Sequence, residues 1–253
     1  VEETYKRPFL DRLFRNILSF VLPRPNMFLL MAISSKIIKP FSFLFPKFLR
    51  NALNLMPDKI PGKKLKEKKV YKVTEGKKIS RVALLTGCVQ RVISPEINEA
   101  TIRLLNRHKV EVVVMPDINC CGSLNHHLGK KKLAHDSFKK NIESWHEEYL
   151  KNGLDAIISN TSGCGTTLKD YGHIFKDNKD LKKKAKKISE LTKDITEYLD
   201  ENLKLNINVQ TDKKYRIAYH SACSMQHGQK VHQQPKDLTV SYTHLTLPTI
   251  RLV

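Results

Sequence analysis

A chain of 253 residues with 40% hydrophobic content can bury one large core or two modest ones without covalent staples. Its five cysteines are odd in number and sparse, and no secretory leader is visible, which excludes a disulfide scaffold and makes the thiols ligands or reactive groups in a reducing compartment. The net charge of +20 raises nucleic acid as a partner, but no basic stretch is interleaved with aromatics as base stacking requires, so nucleic acid is not expected.

Residues 1–60 are apolar and basic, and prolines at 8, 23, 25, 40 and 46 cut them into short amphipathic helices. None of the uncharged runs approaches the ~18 residues of a membrane span, so no span is expected. Such a segment packs as a helical linker on its own domain, docks a partner subunit, or makes peripheral membrane contact through residues 1–55. Residues 61–79, rich in lysine, read as a linker.

From residue 80 strands and helices alternate. "RVALL" (81–85) is a buried-type strand. "SPEINEATIRLLNRH" is a helix capped by Ser94 with Ile97, Ala100, Leu104 and Leu105 on its inner face. "VEVVVMP" gives a second strand. Residues 131–153 give a helix with Ala134, Phe138, Ile142, Trp145 and Tyr149 inward, ending at Asn152-Gly153. "LDAIIS" gives a third strand, a long helix is expected over 181–203, and "YRIAYH" reads as a further strand. The fold class is therefore α/β, a parallel sheet with crossover helices behind an α-helical segment.

Every cysteine lies just past a strand: Cys88 after the first, Cys120 and Cys121 after the second, Cys164 after the third, Cys223 after the last. In a parallel sheet those carboxyl ends share one edge, where α/β folds place ligands. Thiolates there suit soft metals, iron–sulfur or zinc. "RVALLTGC" (81–88) and "RIAYHSAC" (216–223) repeat one pattern 135 residues apart, which puts a second Cys-Cys-Gly just past Val253. The domains read as 80–210, a first cysteine-rich repeat, and 211–238, the start of a second. Residues 239–253, poor in lysine and rich in Thr and Leu, resemble translated adapter sequence and read as a non-native tail.

"LLTGCVQ", "INCCGSLNHHLG", "NTSGCGTTLKDYG" and "HSACSMQHGQ", in that order, resemble the cysteine-rich (CCG) domains of glycolate oxidase-type iron–sulfur subunits. The wider family includes lactate-utilisation iron–sulfur proteins, the C subunit of anaerobic glycerol-3-phosphate dehydrogenase and the B subunit of heterodisulfide reductase. In this family a cysteine precedes the Cys-Cys-Gly, and here 31 residues lie between Cys88 and Cys120. The ferredoxin-like cysteine run that usually opens such subunits has no counterpart before Cys88, so the chain reads as part of a longer protein.

The resemblance implies an iron–sulfur cluster, [4Fe-4S] favoured, with Cys88, Cys120, Cys121, Cys164 and Cys223 as metal ligands. Gly122, Gly163 and Gly165 would let backbone N–H groups approach its sulfurs. It also implies flavin-containing partner subunits, membrane quinone as acceptor, and a cytoplasmic location, peripheral on the inner face of the membrane. The chain would be a subunit of a non-NAD glycolate dehydrogenase complex, inactive in isolation, with no catalytic residue of its own. In the heterodisulfide relatives the third loop reads Cys-x-x-Cys, whereas here Thr161 stands three before Cys164. That departure weakens a thiol–disulfide reading, and a tetrathiolate zinc module is the third alternative. His126, His127, His220 and His227 lie near the motifs, as proton handlers or as exposed surface residues.

Overall fold

The computed structural model describes residues 4–56, 60, 70–203 and 218–243. The amino-terminal helices are α1 (Phe9–Val21), α2 (Pro25–Ile38) continuing into a 3-10 helix (Lys39–Leu44), and α3 (Lys47–Asn54). Their ends fall at the prolines, as expected. Pro25–Leu44 is 20 continuous helical residues of mean hydropathy 1.5, which by length and composition alone would reach across a membrane. Lys36 and Lys39 interrupt its uncharged runs without bringing its average below that of a span.

The next elements are β1 (Val70–Tyr71), β2 (Ser80–Leu85), the single turn α4 (Gln90–Ile93), α5 (Pro95–Arg107) and β3 (Val110–Val113). They are followed by α6 (Ser123–His127), α7 (Lys131–Asn152), β4 (Ala156–Ser159), α8 (Ser162–Lys169), α9 (Tyr171–Ile174) and α10 (Lys182–Leu191). β5 (Thr192–Asp194), α11 (Ile195–Asn202), a π-helical turn (Ser224–Gly228) and α12 (Gln234–Thr243) complete the described chain. The five-stranded sheet runs β1-β3-β2-β4-β5, parallel except where the edge strand β1 pairs antiparallel with β3. β1 falls in the stretch read as linker.

Residues alternate across the sheet, so each strand supplies two cores. Ala83, Leu85, Val113 and Ile157 face α7, α8, α9 and α10, burying Phe138, Ile142, Trp145 and Ile188. Val82, Leu84, Val112 and Ile158 face α5 and α11, burying Ile102, Leu105 and Tyr198. β2 has β3 on one side and β4 on the other, so the order of the strands reverses at β2. The carboxyl end of such a reversal is a crevice.

Three expected elements differ. The helix over 181–203 is broken by β5. Thr192 to Asp194 pair with Ile157 to Ser159, and Asp194 then restarts the helix through a capping box. The Asp194 carboxylate accepts from the Thr196 N–H at 2.9 Å and Glu197 accepts from the Asp194 N–H at 3.1 Å. The inner face of α5 is turned from the expected one. Asn98, Thr101, Ile102 and Leu105 are buried and Ile97 is exposed, because Asn98 and Thr101 both accept from Asn160 Nδ2, at 2.9 and 3.1 Å. The strand expected at "YRIAYH" falls partly outside the described residues, and its described part, 218–220, is not a strand.

Candidate metal centre

Each thiol of the first repeat is placed by a strand end feeding a helix start. Cys88 sits between β2 and α4, Cys120 and Cys121 between β3 and α6, and Cys164 in the first turn of α8. The three loops meet at the crevice and their sulfurs form a string: Cys88 against Cys120, Cys120 against Cys121, and Cys121 Sγ 3.1 Å from Cys164 Sγ. Cys120 and Cys121 are buried, Cys88 and Cys164 partly so.

The electrostatics follow from this crowding. Its contact with Cys120, then burial, pushes the Cys88 thiol far above the ordinary range. Cys120 is pushed up to about 12, chiefly by Cys121 and then by burial, with its contact to Cys88 working the other way. A thiolate formed here faces other sulfurs in a poorly solvated place, so the group holds negative charge only if a cation shares it. Partial compensation is built in: the Gly122 N–H donates to Cys120 Sγ at 3.4 Å, and the Val89 and Ser123 amides face the sulfurs of Cys88 and Cys121.

Four thiols at one crevice fit an iron–sulfur group, or zinc, in kind and number. Their arrangement is a string. Among the described residues no three Cys, His, Asp or Glu side chains form a ready ion site. The 3.1 Å contact is also shorter than the ~3.8 Å between two thiolates on one tetrahedral zinc, taking its ~2.3 Å bonds. Loading therefore requires the string to open.

The Cys-Cys corner is held by its carbonyls. Tyr171 Oη donates to the Cys121 carbonyl at 2.7 Å, Asn141 Nδ2 donates to the Cys120 carbonyl at 2.9 Å, and Asn141 Nδ2 also lies 3.0 Å from Tyr171 Oη. Both side chains are buried. Under the other two loops lies a polar network. Gln90 Nε2 donates to Asn98 and Asn160, Thr161 Oγ1 donates to Gln90 Oε1 at 2.8 Å, and Asn98 Nδ2 donates to the Thr86 carbonyl at 2.8 Å. It fastens the Cys88 loop to the Cys164 loop, and Thr161, three residues before Cys164, belongs to it.

Cys223 stands apart from the other four. It is exposed at the start of the π-helical turn and touches none of the four thiols among the described residues. Its segment nonetheless docks on α8, where Thr166 Oγ1 donates to the Ser224 carbonyl at 2.9 Å and Gln229 Nε2 to the Ser162 carbonyl at 2.9 Å.

Two of the three glycines meet close neighbours. Gly122 has φ +83, and a Cβ on it would sit 2.5 Å from the Phe138 ring. A Cβ on Gly165 would collide with Gln229, and its N–H is used in the helix, donating to the Thr161 carbonyl at 3.0 Å. Gly163 faces open space. His126 and His127 are exposed on α6, and His126 packs 5.7 Å from the Phe138 ring centroid. His220 and His227 are exposed.

Sequence reasoning passed over Asn98, Asn141, Tyr171, Gln90 and Asn160. Asn98 and Asn141 left a signal, since each is an amide set among the buried residues of an amphipathic helix, where it must find a partner. A cavity of about 360 Å³ opens beside Cys120, lined also by Asn125, Asp136, Lys140 and, from the amino-terminal helices, Ser19 and Arg24.

Residues 82–169 match the cysteine-rich domain family, CCG. The chain is 31% identical to the glycolate oxidase iron-sulfur subunit of Escherichia coli, over all of this chain and 58% of that protein. It is 27% identical to the probable glycolate oxidase iron-sulfur subunit of Bacillus subtilis, over 78% of this chain and 44% of that one. It is 26% identical to lactate utilization protein A of a Geobacillus species, over 57% of this chain and 58% of that one. The chain thus spans about half the length of these curated relatives. No solved structure matches it. The four thiols of the string all lie within the matched residues 82–169, and Cys223 follows them.

Proposed function

We propose that this chain is an iron–sulfur subunit of an oxidoreductase complex, passing electrons from flavin-bearing partner subunits that oxidise a 2-hydroxy acid, glycolate in the first instance, toward membrane quinone. The observation that carries the reading is the string of four thiols at one sheet edge, in a chain that aligns along its whole length with a glycolate oxidase iron-sulfur subunit.

Cys88, Cys120, Cys121 and Cys164 would hold an iron–sulfur cluster, [4Fe-4S] favoured, which when bound supplies one-electron transfer. The chain's own residues do the rest. The Gly122 N–H and its neighbours donate to the sulfurs and stabilise negative charge there, which raises a reduction potential. Asn141 and Tyr171 fix the two-cysteine corner, and the Gln90–Asn98–Asn160–Thr161 network fixes the loops on either side. Cys223 would belong to a second repeat. Lactate in place of glycolate is the nearest variant, supported by the lactate utilization relatives. Thiol–disulfide chemistry of the heterodisulfide kind is disfavoured by Thr161, whose hydroxyl is bonded to Gln90 where that chemistry uses a thiol.

Anaerobic purification with iron and acid-labile sulfide analysis and EPR tests the reading. Iron and sulfide together, with an EPR signal lost on Cys120→Ser, is the expected result. Zinc without iron overturns it.

A further inference from the structure

We infer that the amino-terminal helices form a docking surface for an anionic lipid bilayer, lying in the membrane interface and holding the thiol edge beside it. The helices expose large apolar side chains in one ordered series: Leu10, Leu13 and Ile17 on α1, Leu30, Ile33 and Ile37 on α2. The 3-10 helix adds Phe41, Phe43 and Leu44. A folded domain rarely leaves such a run to water without a use for it.

Charge names the occupant. Residues 4–56 hold nine lysines and arginines against one acid, Asp11, which pairs with Arg7 at 3.2 Å. Arg12, Arg24, Lys36, Lys47 and Arg50 are exposed. Apolar side chains flanked by cations complement anionic headgroups over acyl chains.

Packing decides between lying on the bilayer and crossing it. On α2 the stripe Phe28, Ala32 and Ser35 is buried, and α2 packs on α1 and α4, while Leu30, Ile33 and Ile37 point away. A helix with one face committed to its own protein cannot be ringed by lipid. Pro23 and Pro25 part α1 from α2 and Pro46 parts the 3-10 helix from α3, so the chain turns between elements that a plane accommodates better than a span.

The same contacts set what docking brings near the membrane. α4 follows Cys88 directly, and Arg15 donates to the Leu128 carbonyl at 3.2 Å just past the Cys-Cys corner. Lys130 donates to Asn16 at 2.6 Å, and Ser19 and Arg24 line the cavity beside Cys120. The helices are thus strapped to the thiol edge. That this shortens the path to a membrane acceptor rests on the electron-transfer reading; the docking itself does not.

The test is co-sedimentation of the 253-residue chain with vesicles of phosphatidylglycerol and phosphatidylcholine, against pure phosphatidylcholine, with iron content measured on each preparation. Binding is expected to mixed vesicles only, falling as salt rises, and to drop about tenfold in Ile17→Glu/Ile33→Glu and in Arg12→Glu/Lys47→Glu. Leu150→Glu, exposed on α7, is expected to leave it unchanged. Unchanged circular dichroism shows that the variants fold. Absence of binding at low salt, equal binding by the apolar variant, or capture of a flavin subunit on this face without vesicle binding overturns the proposal. Vesicle binding by a preparation that carries zinc and no iron would uphold docking and overturn the electron-transfer reading alone.

Discussion

Tyr171 donates its phenolic hydrogen to the Cys121 carbonyl at 2.7 Å, from a position with no solvent exposure. This residue, which with Asn141 fixes the corner, is thus 50 positions downstream, on the far side of β4, and it reaches the cysteine through its backbone carbonyl. Tyr171→Phe keeps the ring and removes the donor. The orphaned carbonyl costs about 1–3 kcal/mol, so thermal unfolding is expected several degrees lower. Iron retained through gel filtration is expected to fall as well. Wild-type stability and iron in this variant would assign Tyr171 to packing alone.

Gly122 and Gly163 are expected to respond oppositely to alanine. At Gly122 the methyl meets Phe138 at 2.5 Å on a backbone with φ +83, costing upward of about 1–2 kcal/mol. At Gly163, in α8 and facing open space, alanine is expected to stabilise by about 0.5–1 kcal/mol. Melting curves of the two variants side by side decide it.

Cys164→Ser and Cys223→Ser separate the string from the lone thiol. Cys164 touches Cys121, whereas Cys223 is exposed and touches none of the four. Iron per chain is expected to fall for the first and to hold for the second. Equal losses would bring Cys223 into the first-repeat centre.

At the break before α11, burial raises the Asp194 carboxyl above its ordinary range, against the hydrogen bonds from Thr196. An acid whose folded value is raised destabilises the fold at neutral pH, a cost relieved as pH falls through that value. Asn keeps the cap acceptor without the buried charge, so Asp194→Asn is expected to melt no lower than wild type at pH 7. Asp194→Ala loses the cap and is expected to lose about 1 kcal/mol. A lower melting point for the Asn variant would mean that the charge itself stabilises.

At the opposite sheet edge Arg81 bridges Glu111 and Glu148, with Lys78 3.3 Å from Glu111. Burial alone would raise the Glu111 carboxyl, but hydrogen bonds from Arg81 and Lys78 outweigh it and hold it below the ordinary glutamate range. Its stabilisation is therefore complete above the unfolded-state value of about 4.3 and is lost as pH falls through the lower folded value. Glu111→Gln is expected to unfold more easily at pH 7 and to lose less stability than wild type on acidification below pH 4. Parallel acid-unfolding curves would show that Glu111 contributes no such linkage.

The sequence alone carried the alternation of strands and helices, the proline-cut amino-terminal helices and the positions of Cys88, Cys120, Cys121 and Cys164 relative to their strands. These are local matters, set by periodicity, caps and chain breakers within a dozen residues. The break at Thr192–Asp194 was also locally signalled, by the capping box Asp194 to Glu197, though a continuous apolar stripe concealed it. Which thiols meet was decided only in three dimensions, because Cys88, Cys120 and Cys164 are joined by the order of the strands and by nothing nearer in the chain. The same holds for the groups that hold them. Asn98 and Asn141 face inward because carbonyls from distant loops wait there, and Gly122 is glycine because Phe138, 16 residues on, occupies the space a side chain would need.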